Sequence, residues 1–138
     1  MITQEIIQPL ARYFNASMTS GTSTTVVNIA NAQTLRIVAH SGALTGTGTA
    51  TLRIFVNTTN ATSGATQLTS KAVTLASDRT YEIFIAGAEV YEAMERASYL
   101  FVSLDAAAGM TAQIAIEISA LPGRDIPASL PSNWTRVL

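Results

Sequence analysis

Apolar and polar residues alternate with a period of two along most of the central part of the chain. In the segment 111–120, Ala112, Ile114, Ile116 and Ile118 share one face, while polar residues such as Glu117 occupy the other. This period is typical of a β-strand that buries one face. Similar runs occur at 24–30, 34–41, 49–57, 68–76, 80–86 and 98–104. The pattern therefore predicts about seven strands.

Short polar segments that contain Gly, Asn or Ser separate these runs. The longest are 41–48 and 57–66, and both have the composition of turns and loops. Short strands at this spacing indicate an all-β fold. We expect an antiparallel β-sandwich or a jelly-roll-like arrangement of about seven strands.

One central segment departs from the alternation and predicts a short amphipathic helix at one end of the sandwich. Its apolar residues recur at the spacing of one helix face: Val90, Ala93, Met94 and Ala97. Glu92 and Arg96 are four residues apart, so we expect them to form an ion pair on that helix. Because the segment is short, a strand through 88–93 is the alternative.

The chain ends differ from the centre, which predicts an N-terminal arm (1–20), a β-sandwich domain (21–120) and a C-terminal arm (121–138). Ile2, Ile6, Leu10 and Phe14 recur at four-residue steps, as in a helix. Pro9 lies inside this pattern, and a proline in a helix interior costs about 3 kcal/mol. The N-terminal arm is therefore either a short helix that begins near Pro9 or an extended segment.

The C-terminal arm is rich in proline and has no strand alternation, so we expect an extended segment. It nevertheless carries large apolar residues, which are scarce in disordered tails. We predict that the two arms contact other molecules through six apolar residues. These residues are Ile6, Leu10, Phe14, Ile126, Leu130 and Trp134. For Trp134, packing against its own sandwich is the alternative.

The charge balance and the composition exclude several classes of function. Eight basic residues stand against nine acidic ones, and Lys71 is the single lysine. Binding to nucleic acid through phosphates needs clustered cations, so we expect no nucleic-acid partner. The sequence has no cysteine, which excludes disulfides and thiolate chemistry. It also lacks the run of about 20 apolar residues that a membrane-spanning helix needs, so we expect no membrane partner.

Catalytic motifs are missing as well. His40 is the single histidine, and no G-x-S-x-G segment presents a serine nucleophile. Gly46 and Gly48 do not continue into a dinucleotide-binding or P-loop pattern. Glu89, Glu92 and Glu95 form an acidic stripe, which suits a solvated helix face or a contact with a basic partner. We therefore predict a protein that is not an enzyme and has no cofactor, no catalytic residue and no metal site.

The strand-rich centre (24–120), the single lysine and the two apolar arms together resemble accessory virion structural proteins of tailed bacteriophages. This group includes capsid decoration (cement) proteins and head-fibre proteins. The resemblance implies a non-enzymatic protein of the virion that binds the major capsid protein or another virion protein. It also implies association with its own copies as a homo-oligomer, and location on the capsid or head.

A second hypothesis is a carbohydrate- or receptor-binding β-sandwich module of a fibre or a cell-surface protein. Sugar sites use exposed aromatic rings as platforms. Tyr91 and Trp134 are the candidates for such a ring.

Overall fold

The structure is a computed structural model that describes residues 8–30, 32–121 and 133–138. Strands make up 58% of it and helical residues 8%, which confirms the predicted all-β class. The strands are β1 (Gln8–Met18), β2 (Val27–Asn28), β3 (Thr34–Thr45), β4 (Ala50–Asn57), β5 (Thr66–Gln67), β6 (Val73–Thr74), β7 (Arg79–Ala86), β8 (Tyr99–Ala106), β9 (Thr111–Leu121) and β10 (Trp134–Val137). A 3-10 turn covers Thr69–Lys71, and the helix α1 covers Gly87–Ala93.

These strands form two sheets. The first sheet has the order β1-β9-β3-β7-β10, and the second has the order β2-β8-β4-β5, with β6 also paired to β4. The antiparallel pairings are nested: β1 pairs with β9, β2 with β8, β3 with β7, and β4 with β5 and β6. The pairs β3–β9 and β4–β8 join these nested pairs into the two sheets. Among the strands described, β10 alone stands outside this scheme, because it runs parallel to β7 at the sheet edge.

One hydrophobic core receives alternate residues from both sheets. Ile37 and Ile83 of the first sheet and Ile54 and Leu100 of the second are almost completely buried within it. Each aliphatic side chain of this size gains about 1.5–3 kcal/mol on burial. The period-two pattern of the sequence is therefore the pattern of side chains that reach this shared core.

The segment 21–29 covers one edge of the second sheet. Its backbone N–H groups donate to β8, with Gly21 N to Leu104 O and Thr24 N to Val102 O at 2.8 Å each. Leu104 N donates back to Thr22 O. Because these groups are paired, this edge of β8 offers few open hydrogen-bonding positions to another strand.

Each of the predicted strand runs contains a strand, but the runs at 24–30 and 68–76 contribute only two residues each, in β2 and β6. The described part of the chain has ten strands, where the alternation predicts about seven. The three additional ones are β1, β5 and β10. β5 is only two residues long, and β1 and β10 lie in the segments predicted to be arms.

For residues 8–18 the helical alternative is wrong and the extended one is confirmed. Tyr13 and Ala11 pack against the core, while Arg12 and Phe14 lie on the other face. The segment forms a strand despite the four-residue spacing that includes Phe14, because β9 supplies hydrogen-bond partners for the backbone groups of β1.

The predicted helix exists, but it ends at Ala93. Arg96 lies beyond its end with φ of 65°, and the predicted Glu92–Arg96 ion pair is wrong for the residues described. Glu92 would face Arg96 only if the helix continued for another turn.

Two bulges face each other across β9. The register of β1 shifts between Asn15 and Met18, and that of β3 shifts between Ser41 and Leu44. Both shifts lie opposite Gln113 on β9. A Cβ atom at Gly42 would come within 2.5 Å of the Gln113 Oε1 atom, so a larger residue there would require the Gln113 side chain to move. The bulge in β1 allows Met18 to reach the core, where it is fully buried.

Candidate functional site

The face of the first sheet that points away from the core is the candidate interaction surface. Strand register places five residues in one row across all five strands. From β1 to β10 the row is Phe14, Ala115, His40, Thr80 and Trp134. At the usual spacing of strands, the ends of this row are about 19 Å apart. We call this surface the outer face.

The two aromatic residues predicted to form interfaces lie at opposite ends of this row. Phe14 on β1 is 65% exposed, which is high for a phenylalanine. Trp134 on β10 is half-buried and is in register with Thr80 of β7. Exposed aromatic rings are typical of protein interfaces. The structure thus brings residues from the two ends of the chain onto one surface.

The other predicted interface residues are placed differently. Leu10 lies at a bulge of β1 and packs against the core of its own chain. Ile6, Ile126 and Leu130 lie outside the described residues.

A second row on the outer face carries charge. It consists of Arg12, Glu117, Val38, Glu82 and Arg136. Arg12 Nε lies 3.5 Å from Glu117 Oε2, and the Arg12 side chain is largely exposed while that of Glu117 is about half exposed. Ion pairs of this kind contribute little to stability, because water screens them.

At the other end of this row, Glu82 and Arg136 form a tight cluster of three charges with Arg36 from the neighbouring row, which we call the Arg–Glu–Arg cluster. Arg36 Nε donates to Glu82 Oε2 at 2.8 Å, and Arg136 Nε donates to Glu82 Oε1 at 3.1 Å. Glu82 has no exposed surface. A buried carboxylate is costly unless it is paired and hydrogen-bonded, so both arginines are needed to hold it.

Arg136 also packs on an aromatic ring. Its guanidinium carbon lies 5.8 Å from the centre of the Phe84 ring, in the range of cation–π contacts. Phe84 is almost fully buried, although it lies on the outer face. The C-terminal strand β10 is therefore tied to β7 by a charged contact and by an aromatic one.

His40 makes an ordinary structural contact. Its Nδ1 atom lies 2.8 Å from the hydroxyl oxygen of Thr80 on the neighbouring strand. Among the described residues, no carboxylate forms a hydrogen bond or an ion pair with His40. The arrangement of acid, base and nucleophile used in hydrolases is therefore not assembled around it.

A shallow groove of about 190 Å³ lies beside α1. Its walls are mainly apolar and include Ile29, Leu35 and Val90. Tyr91 and Arg96 also line the groove and contribute polar groups. Tyr91 is 61% exposed. This groove is the second surface that could receive a ligand.

Lys71 and Glu89 form an ion pair that connects the 3-10 turn with α1. Lys71 Nζ lies 3.2 Å from Glu89 Oε1, and the lysine is almost fully buried. Glu89 Oε2 also accepts the backbone N–H of Ala86 at 2.9 Å, at the beginning of the helix. Glu89 therefore stabilises the start of the helix through these contacts. The three glutamates do not form a continuous acidic stripe on the helix, because Glu95 lies beyond its end.

The Arg–Glu–Arg cluster was missed at the level of sequence. Glu82 is the one charged residue within the otherwise apolar run 81–86. Arg36 occupies a similar position in the run 34–39. A single charged residue in each of two apolar strand runs could have indicated a buried ion pair. The sequence does not show that β3 and β7 are neighbours, so it could not identify Arg36 and Glu82 as partners.

The strand content and the strand pairings make the molecule an all-β protein with two sheets. In the described ranges, no three residues among His, Asp and Glu are grouped so that they could hold a metal ion. None of the helical segments described is both long enough and apolar enough to cross a membrane. A search against models of protein families finds no match, and a search of the curated proteins finds no similar sequence.

Proposed function

We propose that the two sheets form a jelly-roll β-sandwich and that the protein is a non-enzymatic structural protein of the virion. The nested pairing of β1 with β9, β2 with β8, β3 with β7, and β4 with β5 and β6 carries this proposal. A jelly roll is the wrapped arrangement that produces such pairs, and it recurs in viral capsid proteins and in lectins. β5 and β6 both pair with β4 and together take the place of one strand, so that β1 to β9 fill the eight strand positions of this arrangement and β10 is an addition.

Within the virion, we propose the role of a capsid decoration protein that binds the major capsid protein and its own copies. The outer face supports this role, because Phe14 is largely exposed there. The charges of that face are mostly paired within the chain, as Arg12 is with Glu117 and Arg36 with Glu82. An interface on this face would therefore desolvate few unpaired charges, which is the main cost of burying a polar surface.

The test uses virus particles from the genome that encodes the chain, with its gene deleted. Purified protein is added back, and binding is measured by co-sedimentation with the particles. We expect the unaltered protein and Tyr91→Ala to bind alike and Phe14→Ala to bind more weakly. Both substitutions remove an exposed aromatic ring, but only Phe14 lies on the outer face. Absence of binding by the unaltered protein would contradict the proposal.

A carbohydrate-binding module is the second candidate, and the groove beside α1 favours it. Tyr91 offers an exposed ring, and Arg96 offers hydrogen-bond donors at the same groove. For this candidate, Tyr91→Ala is the variant expected to lose binding and Phe14→Ala is the control. Binding on a glycan array would be lost in Tyr91→Ala and retained in Phe14→Ala.

A further inference from the structure

Arg96 has a backbone conformation that an arginine does not favour. It is the third residue of a four-residue turn that starts at Met94, and the N–H of Ala97 closes this turn by donating to the carbonyl oxygen of Met94 at 3.2 Å. The φ of Arg96 is 65°, in the left-handed region. Glycine is preferred at the third position of such a turn, because a Cβ atom makes this conformation unfavourable. An arginine here therefore weakens its own turn.

The Arg96 side chain has no polar partner within the part of the chain that the structure describes. Ion pairs or side-chain hydrogen bonds hold the other described basic residues, which are Arg12, Arg36, Arg53, Lys71, Arg79 and Arg136. Arg96 forms neither kind of contact with a described residue, and its side chain is exposed. A strained residue that bonds to nothing in its own chain points to a contact with another molecule.

Arg96 lines the groove beside α1, where it is the one charged residue among the described residues of the lining. The exposed ring of Tyr91 and the side chains of Leu35 and Val90 give the groove an apolar surface. Its volume of about 190 Å³ is below the range of about 300–1,000 Å³ that is typical of sites for whole drug-sized ligands. The groove therefore suits a single apolar side chain with a negative charge beside it.

We propose that this groove binds the C-terminal residue of another protein, with a large apolar side chain between its walls and the terminal carboxylate on Arg96. A guanidinium group binds a carboxylate through two parallel hydrogen bonds. A C-terminal residue carries both groups on one Cα atom, so a groove one residue long binds both of them. A neutral sugar has no charge for Arg96, and apolar walls leave its hydroxyl groups without hydrogen bonds.

This inference goes beyond the proposed function, because the groove is separate from the outer face. Among the residues that line it, Leu35 alone belongs to the first sheet, and its side chain is buried in the core. The partner bound here is distinct from the capsid protein that the outer face is proposed to bind. Tyr91→Ala therefore remains a valid control for the binding to particles.

N-acetyl-leucine is the probe, because it presents an apolar side chain and a carboxylate as a C-terminal residue does. It is titrated into the isotopically labelled full chain, and the amide chemical shifts are followed by NMR. We expect shift changes at residues that line the groove, such as Val90 and Ala97. N-acetyl-leucine amide has the same side chain without the charge, and it should bind about fivefold more weakly.

Arg96→Gly tests the arginine itself. It should lower the affinity for N-acetyl-leucine to that of the amide, while its melting temperature stays at or above that of the unaltered protein, because glycine suits the left-handed position. Arg96→Gln keeps a long side chain without the charge and should lose the same affinity. Asp78→Gly is the matched control, since Asp78 has a φ of 56° and is outside the groove. It should bind N-acetyl-leucine like the unaltered protein.

Equal affinities for N-acetyl-leucine and its amide, or an unchanged affinity in Arg96→Gly, would overturn the role of Arg96. Shift changes confined to residues outside the groove, or no binding of the probe, would overturn the site. Binding of galactose in the groove in preference to N-acetyl-leucine would assign it to a sugar instead. None of these results changes the outcome expected for Phe14→Ala on particles, so failure of this site and failure of the proposed function are distinguishable.

Discussion

At the scale of single residues, buried polar side chains connect elements that are distant in sequence. Tyr81 of β7 is almost fully buried, and its hydroxyl group donates to Thr74 O at 3.1 Å and accepts from Ala76 N at 2.8 Å. One hydroxyl group thus connects the first sheet with the segment around β6. Buried backbone groups that lose such a partner raise the free energy of the folded state.

Tyr81→Phe is expected to lower the free energy of unfolding by about 1–3 kcal/mol, because it leaves the N–H of Ala76 and the carbonyl of Thr74 without this partner. The ring itself is retained, so no cavity is created. Tyr91→Phe is the matched control, since Tyr91 is exposed and its change should stay within about 0.5 kcal/mol. Urea unfolding measures both. Equal stability of the two variants would contradict this role of the hydroxyl group.

Asn57 organises the long loop that follows β4. Its Nδ2 atom donates to the carbonyl oxygens of Ala61 at 2.7 Å and Ser63 at 2.9 Å, and its Oδ1 atom accepts from Thr58 N at 2.8 Å. The side chain is almost fully buried. Only an amide offers donors and an acceptor in this arrangement, because a carboxylate has acceptors alone.

Asn57→Asp is expected to destabilise the fold by about 1–3 kcal/mol, since the carboxylate would face two carbonyl oxygens without a proton to donate. Asn60→Asp tests the same chemical change at an exposed position of the same loop and should be nearly neutral. Thermal unfolding measures the melting temperatures of the two variants, and we expect that of Asn57→Asp to be the lower. A melting temperature of Asn57→Asp at or above that of Asn60→Asp would exclude the proposed loop role.

At the scale of elements, the strands with long alternating runs could be predicted from sequence, and the ones at the sheet edges could not. β9 and β4 show clear alternation because one of their faces lies in the core. β1 has bulges that interrupt its period, and β10 has only half-buried residues. Both strands are extended because they pair with the edge strand of a sheet, β1 with β9 and β10 with β7. The local sequence does not show which strand each of them pairs with.

The same reasoning explains the candidate site. Phe14 is predicted from sequence as an interface residue, but its place on the outer face could not be inferred, because its four-residue spacing with Leu10 left both a helix and an extended segment open. Trp134 is unusual for a proline-rich segment, but its register with Thr80 follows only from the parallel pairing of β10 with β7.

The Arg–Glu–Arg cluster leads to a prediction about the attachment of β10. Arg136→Ala removes the hydrogen bond to Glu82 and the contact with the Phe84 ring. We expect a loss of about 1–3 kcal/mol in the free energy of unfolding and faster amide exchange in residues 134–137. Hydrogen exchange followed by mass spectrometry measures the local effect.

Arg12→Ala is the matched control for this prediction, since Arg12 belongs to an exposed ion pair in the same row. Its effect on stability should be within about 0.5 kcal/mol, and exchange in β10 should not change. If Arg136→Ala left the exchange of β10 the same as Arg12→Ala does, the cluster would not hold the strand.

At the scale of the whole molecule, the nested pairing gives the protein a closed body, and the outer face is exposed at Phe14 on β1 but buried at Glu82 and Phe84 on β7. The core is shared between the sheets, and both ends of the chain contribute strands to the outer face. A structural protein that covers a viral shell needs such a rigid body and a surface with few unpaired charges.

The most direct measurement is the copy number of this protein in purified, intact virus particles from the genome that encodes it, determined by quantitative mass spectrometry. A decoration protein must be present in many copies, in a fixed ratio to the major capsid protein. We expect that ratio to be constant between preparations. Absence of the protein from intact particles would contradict the account.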